Sequence, residues 1–263
     1  MIRRSDNGNA ARPERSRRVG VPPRKASGSG FPLYSSHGLP CCGVPLLSVT
    51  RNTLRITLAV TSSNGMLKSE LLQNGYVHLK GMDNNGFARL VRSLGDVILR
   101  TSVRVRPESR ALVMSDKALD LHTDHQRARF IAWHCIRQTD QGGTSLLLDV
   151  GLLFDQLPET EQHHLSGIRF AAHKVFDGDP SEHRLLTKSN DHRRFYYAPF
   201  LVLPEYREDP VLIKFRQLVR EAVPVTIDLA EGDVLVVDNH RILHGRAAIL
   251  GSKDRQLERC WIE

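Results

Sequence analysis

The chain has 263 residues, room for one large domain or two small ones, and its 40% hydrophobic content is enough for a packed core. Its formal charge of +8 would suggest a polyanionic partner, but residues 1–65 hold ten Lys and Arg against two Asp and Glu, and the rest of the chain is neutral. The body of the protein therefore needs no nucleic-acid-binding face, and no apolar run approaches the length of a membrane span.

Residues 1 to about 30 are rich in Arg, Ser, Gly and Pro with little apolar periodicity, so the N-terminal segment, 1–65, is expected to be disordered. An organelle-targeting peptide and a translation start at Met66 remain alternatives, and globular patterning, assigned to a domain over 66–263, begins there. A short helix or turn is expected over Leu67 to Gln73, then a strand at Tyr76 to Leu79. Phe87, Leu90, Val91 and Leu94 fall at helical spacing behind Asp83 or Asn84 as a cap, with Gly95 as the stop. Residues 97–117 are mixed, with short strands and a mobile loop expected.

Phe130 to Gln138 and Thr144 to Leu148 read as strands flanking Gly142-Gly143, and two short helices follow over 149–165. Arg169 to Val175 is strand-like, Asp177 to His192 a polar loop, and Phe195 to Tyr197 an aromatic strand. Asp209 to Ala222 is amphipathic through Val211, Leu212, Phe215, Leu218, Val219 and Ala222. Strands are expected at Val225 to Leu229 and Val234 to Val237. Many short strands with few helices is the pattern of a mainly β fold with helical insertions, a jelly roll or barrel. Cys41, Cys42, Cys135 and Cys260 form no CxxC pair, so a reducing cytoplasm is expected.

Chemistry concentrates in Leu121-His122-Thr123-Asp124-His125. On a strand, residues i and i+2 share a face, so His122 and Asp124 would point the same way. The stretch from Asp238 to Arg246 can add a second imidazole. Two His and one carboxylate on one side of a metal leave open positions opposite, an arrangement suited to non-haem Fe(II) and oxygen chemistry. The plainer reading of His122 with Asp124 is a core hydrogen bond.

Several motifs then arrive in one order: Gly75-Tyr76-Val77 with Leu79-Lys80-Gly81, a helix ending Leu94-Gly95-Asp96, His122-Thr123-Asp124, Gly142-Gly143-Thr144-Ser145, Gly232-Asp233, and Asp238-Asn239 leading to Leu243-His244-Gly245-Arg246. Arg255 follows His244 by eleven residues. From about Gly75 to Glu263 the chain resembles the taurine dioxygenase-like branch of the Fe(II)/2-oxoglutarate-dependent oxygenases, which includes the gamma-butyrobetaine hydroxylases.

The resemblance implies a double-stranded β-helix, a cupin-like jelly roll, with His122, Asp124 and His244 as catalytic iron ligands and Fe(2+), 2-oxoglutarate and O2 as cofactor and cosubstrates. Arg255 would hold the far carboxylate of 2-oxoglutarate, because guanidinium matches a carboxylate bidentately. Ser145 is the positional candidate to share that carboxylate, and Thr144 the next. Arg259 would grip an anionic substrate, and His125 would reach substrate from the cavity mouth. The implied reaction is hydroxylation of a small molecule, an amino acid or other small carboxylate, releasing succinate and CO2. Halogenating relatives carry a small residue where Asp124 stands, so halide incorporation is not expected. Two other readings stay open: a Zn hydrolase using the same ligands, and a catalytically silent cupin-like binding protein. A homo-oligomer is compatible with either. His134, His163, His164 and His173 lack metal spacing and read as structural or exposed. Trp133, Tyr196, Tyr197 and Cys260 read as packed core, and Asn239 as ordering the turn before His244.

Overall fold

A computed structural model of the chain describes residues 63–106, 108–109, 111–189 and 192–263. The expectation of disorder over 1–65 lies, except for its last three residues, outside them. In chain order the elements are α1 (Ser63–Asn74), β1 (Tyr76–Leu79), α2 (Asn84–Leu94), β2 (Val97–Arg104), β3 (Leu119–His122), β4 (Phe130–Arg137), β5 (Ser145–Asp149), α3 (Val150–Phe154), α4 (Glu159–Gly167), β6 (Arg169–Ala171), β7 (Glu182–Arg184), β8 (Leu186–Ser189), β9 (His192–Phe195), α5 (Pro210–Glu221), β10 (Val225–Ile227), β11 (Val234–Asp238), β12 (Ile242–Arg246) and β13 (Gln256–Ile262).

The strands form a five-stranded sheet, β1-β11-β4-β13-β2, a four-stranded sheet, β10-β5-β12-β3, and two small pairs, β6-β7 and β8-β9. Every pairing is antiparallel. The fold is thus mostly antiparallel sheet with a few helices.

β11 shows why these residues sit as they do. Val234 and Val236 pack with Leu67 and Leu71 of α1 and Phe87 and Val91 of α2, whereas Leu235 and Val237 join Leu147 of β5 and Ile242 of β12 in a second cluster. A strand covered on both faces is apolar along its whole length, and Val234 to Val237 is a continuous apolar run. Burying Phe87 or Val91 contributes about 1.5–3 kcal/mol each. The second cluster draws on both large sheets, so it lies between them. The outer side of the four-stranded sheet, through Leu243, packs against Phe154, Phe195 and Phe215. α2 and α5 start on the side chains of Asp83, accepting from Gly86 N at 2.6 Å, and Asp209, accepting from Leu212 N at 2.9 Å.

The structure departs from the expectations in five places. α1 begins at Ser63, so the domain boundary expected at Met66 falls inside a helix whose Leu67 and Leu71 are buried. The mixed segment after residue 97 holds an eight-residue edge strand, β2, paired with β13 from Val97 to Arg104. The expected polar loop over 177–192 contains β7 and β8, and the strand-like stretch Arg169 to Val175 shortens to β6. Tyr196 and Tyr197 lie just past β9 and are buried.

Candidate active site

β3 and β12 place the two imidazoles. His244 and His122 are direct antiparallel partners, so both rings project from one face of the sheet, with centroids 4.5 Å apart. Between His244 and Arg246 the register slips against β3. A Cβ on Gly245 would lie 2.6 Å from the carbonyl oxygen of Leu119, so this close approach requires glycine.

Asp124 is not carried by the strand, which ends at His122. The expectation of a shared strand face is therefore replaced by a pinned turn. Thr123 N–H donates to Tyr197 O at 2.8 Å, and Thr123 Oγ1 accepts from Tyr197 N at 2.9 Å. Asp124 N–H donates to Asn239 Oδ1 at 2.8 Å, and Asn239 Nδ2 donates to Ala128 O at 2.8 Å. Asn239 thus ties the turn before β12 to the turn after β3, which goes beyond the local role expected for it.

His122, Asp124 and His244 are buried, and each offers a ligand atom within 4.8 Å of the others. His122 Nδ1 lies 2.8 Å from Asp120 O and so donates to it, leaving Nε2 as the lone-pair nitrogen, 3.5 Å from Asp124 Oδ1. Among the described residues neither buried ring nitrogen of His244 has a hydrogen-bond partner. Burial, followed by the nearby His122, pushes the His244 imidazole below its ordinary value. Burial alone would raise the Asp124 carboxyl, but Arg259, His122 and His244 outweigh it and hold the group well below the usual carboxylate range. A carboxylate beside two imidazoles is a donor set for a divalent ion, and one of the two unpartnered His244 nitrogens is what such an ion would satisfy.

The second oxygen of Asp124 is spoken for. Arg259 Nη1 donates to Oδ2 at 2.9 Å and Trp261 Nε1 donates to it at 2.8 Å. Arg259 was expected to be turned toward substrate; its guanidinium lines the cavity but is anchored on Asp124, and its Nε is buried without a partner among the described residues.

His125 is a correction. Its side chain is fully buried, Nε2 meets Asp179 Oδ2 at 2.9 Å, and Nδ1 accepts from Arg127 N at 3.2 Å. The ring stacks on Trp261 and meets Phe176 edge-on. With both nitrogens engaged it does not stand at the cavity mouth. Trp133 is the reverse case, since it lines the cavity with its ring against His244, 5.0 Å between centroids, and is not simply packed core.

That cavity runs between the two large sheets. At the level of His122 and His244 it is walled by Leu147, Trp133, Leu235 and Arg259, then by Leu257 on β13 and by Ser145 and Arg246 on the other sheet, and Arg255, just before β13, completes it. The register sets these levels: Leu147 faces His244 and Leu235 and Arg259 flank Trp133, while Ser145 faces Arg246 two residues further on. Arg255 is 3% exposed, and its Nε donates to Gln138 Oε1 at 2.9 Å. Burial, and then the charge of Arg246, lowers it to about 10. No carboxylate among the described residues pairs with it. Gly143, with φ +74°, lets the turn close on this arginine, because a Cβ there would lie 3.1 Å from Arg255 Nε. Ser145 faces the cavity, whereas Thr144 Oγ1 donates to Asp228 Oδ1 at 2.6 Å and is not among the lining residues. The sequence reading missed Gln138, Trp261 and Arg246. The last two had a signal, each lying two residues from a singled-out residue on the same strand.

The chain is similar to known proteins along most of its length. Dioxygenase str8 from Strobilurus tenacellus is 27% identical over 59% of this chain and 43% of that protein, so the match spans less than half of that relative. Among solved structures, an asparagine oxygenase in complex with Fe(II), 3-hydroxyasparagine and succinate aligns with a TM-score of 0.62 at 18% identity, covering 76% of this chain and 78% of its own. The non-haem iron oxygenase OrfP, in complex with Fe and alpha-ketoglutaric acid, aligns at 0.58 and 18%, covering 76% and 79%. PvcB from Pseudomonas aeruginosa aligns at 0.57 and 17%, covering 78% and 81%. At such identities the structural likeness speaks for the fold alone. Residues 55–261, more than three quarters of the chain, match the model of one family, and the chain belongs to that family, Taurine catabolism dioxygenase TauD, TfdA.

Proposed function

We propose that this chain is an Fe(II)- and 2-oxoglutarate-dependent dioxygenase that hydroxylates a small amino acid or related carboxylate. The observation that carries the reading is one cavity that holds the two imidazoles of the His-Asp-His group, then Leu257, and then a buried arginine with no carboxylate partner among the described residues. A 2-oxo dicarboxylate has that sequence of chemistry: an oxo acid that chelates a metal, two methylenes, and a second carboxylate.

His122 Nε2, His244 and Asp124 Oδ1 would hold the iron. The chemistry iron supplies there, with 2-oxoglutarate and O2, is oxidative decarboxylation to succinate and CO2 coupled to oxygen transfer into a substrate C–H bond. The protein's own part is positional. Gln138 and the Gly142-Gly143 turn fix the Arg255 fork, the Ser145 hydroxyl faces the cavity and could share the far carboxylate while Thr144 is spent on Asp228, and Leu147, Leu235 and Leu257 give the cavity apolar walls. The Arg259 guanidinium, whose Nε has no partner among the described residues, is the group that an anionic substrate would meet near the metal.

The two large sheets with a shared buried cluster would be the faces of a double-stranded β-helix, beginning with α1, with the basic segment before it appended. Small-molecule specificity for an amino acid draws on the solved relatives, whose structures contain 3-hydroxyasparagine and 3-hydroxyarginine. A Zn hydrolase would have no use for Arg255 or the turn packed against it.

Anaerobic addition of Fe(II) and 2-oxoglutarate should give the visible charge-transfer band of a chelated oxo acid. Folded protein without that band would overturn the proposal in favour of a silent binding protein or a hydrolase. Arg255→Ala should raise the 2-oxoglutarate requirement by the equivalent of about 2–5 kcal/mol, far more than it raises that for iron, as read from parallel titrations.

A further inference from the structure

The far part of the cavity holds two guanidiniums, Arg255 and Arg246, and no anion among the described residues pairs with either. Arg246 is 7% exposed and lines the same cavity. It sits two residues beyond His244 on β12, so both side chains leave the strand on one face, about 6.6 Å apart along it. Its Nη2 donates to Ser115 O at 2.6 Å and Lys117 O at 2.8 Å. Its Nε is buried with no partner among the described residues. Across the sheet its direct neighbour is Ser145. Two like charges brought together out of water are costly unless an anion joins them. Burial disfavours the charged form of both, Arg246 adds to this at Arg255, and the more distant Asp116 offsets it only in part at Arg246.

We infer that Arg246 is a second cation for the far carboxylate of the cosubstrate, so that this carboxylate is held between Arg255, just before β13, and Arg246 with Ser145 on the four-stranded sheet. The inference rests on the cosubstrate assignment made above. It also gives the carbonyl bonds a purpose: they fix Arg246 at one nitrogen and tie the anion subsite to the segment between β2 and β3, whose Val113 forms part of the cavity wall. A site with two cations and a hydroxyl requires a dicarboxylate and rejects an oxo acid that ends in a methyl.

The test is calorimetric titration of the metal-loaded protein, with Mn(II) in place of the redox-active ion, using 2-oxoglutarate and 2-oxopentanoate, which carries a methyl in place of the far carboxylate. The unaltered protein should prefer 2-oxoglutarate by about a hundredfold or more. Arg246→Gln should cut 2-oxoglutarate affinity roughly ten- to a hundredfold and leave 2-oxopentanoate affinity unchanged. Arg246→Lys keeps a cation that can reach the same carbonyls, and should fold and lose a smaller part of the preference. If either soluble variant keeps the full preference, or loses affinity for both acids equally, the assignment of Arg246 is wrong. An unaltered protein with no preference would instead overturn the cosubstrate reading itself.

Discussion

Asp124 has its two oxygens in different company: Oδ2 takes hydrogen bonds from Arg259 and Trp261, while Oδ1 lies 3.5 Å from His122 Nε2. A carboxylate so held can present one oxygen to a metal without rotating. Groups behind metal ligands typically matter ten- to a hundredfold in affinity. Trp261→Phe removes the donor yet keeps a ring against His125, so metal affinity should fall roughly tenfold while 2-oxopentanoate binding to the metal-saturated protein is unchanged. Mn(II) titration reads the first and calorimetry the second; unaltered metal affinity would mean that the Trp261 bond has no part in placing Asp124. At this scale His122, Asp124, His244 and Arg255 were legible because their residue types and spacing are specific. Gln138 was not, since a glutamine just past a strand end has many uses and only the neighbour it reaches, Arg255, gives it one, and Trp261 had only its place two residues from Arg259 to mark it. His125 misled for the same reason, its burial against Asp179 being invisible from its position beside Asp124.

At the scale of elements, the site depends on how closely β3 approaches β12. Gly245→Ala would put a methyl 2.6 Å from Leu119 O, and since the obstacle is backbone, one strand must move. We expect a loss of about 1–3 kcal/mol by chemical denaturation together with weakened metal binding, because the displaced strand carries His122. A variant that loses stability but binds metal as before would uncouple the bulge from the site. Elements with strong apolar periodicity and side-chain caps, α2 and α5, were readable to within a residue or two, and β1 and β11 were likewise plain. β2 was obscured because an edge strand leaves one face to water and so carries Arg100, Thr101 and Arg104. β7 and β8 were obscured because each is three or four residues of mostly polar chain, paired only with β6 or β9.

At the scale of the whole molecule, charge and burial give separate predictions. The excess positive charge lies in residues 1–65, so a chain beginning at Thr61 should keep the melting temperature and cosubstrate binding of the full protein. One beginning at Met66 lacks the first residues of α1 and should melt lower. Insolubility of the Thr61 chain would show that the basic segment is needed by the domain. The pH response should come from buried imidazoles. His240 Nε2 donates to Gln126 O at 2.9 Å, which fixes the neutral tautomer, and burial pushes its pKa down from 6.5 to about 4. The Gln126 bond works against that shift, while the charges of Arg194, Arg129 and His192 add to it. Above pH 6.5 the folded and unfolded chains both carry this group neutral, and it contributes no slope. Between 6.5 and 4 the unfolded chain takes up the proton first, so stability falls with falling pH, and below 4 the loss levels off. The full displacement is worth on the order of 3 kcal/mol. His240→Gln keeps an N–H donor for Gln126 O and cannot titrate. Denaturant unfolding at pH 7 and pH 4.5 should therefore show a smaller difference in this variant than in the unaltered protein, and equal differences would mean that His240 is not held neutral by the fold.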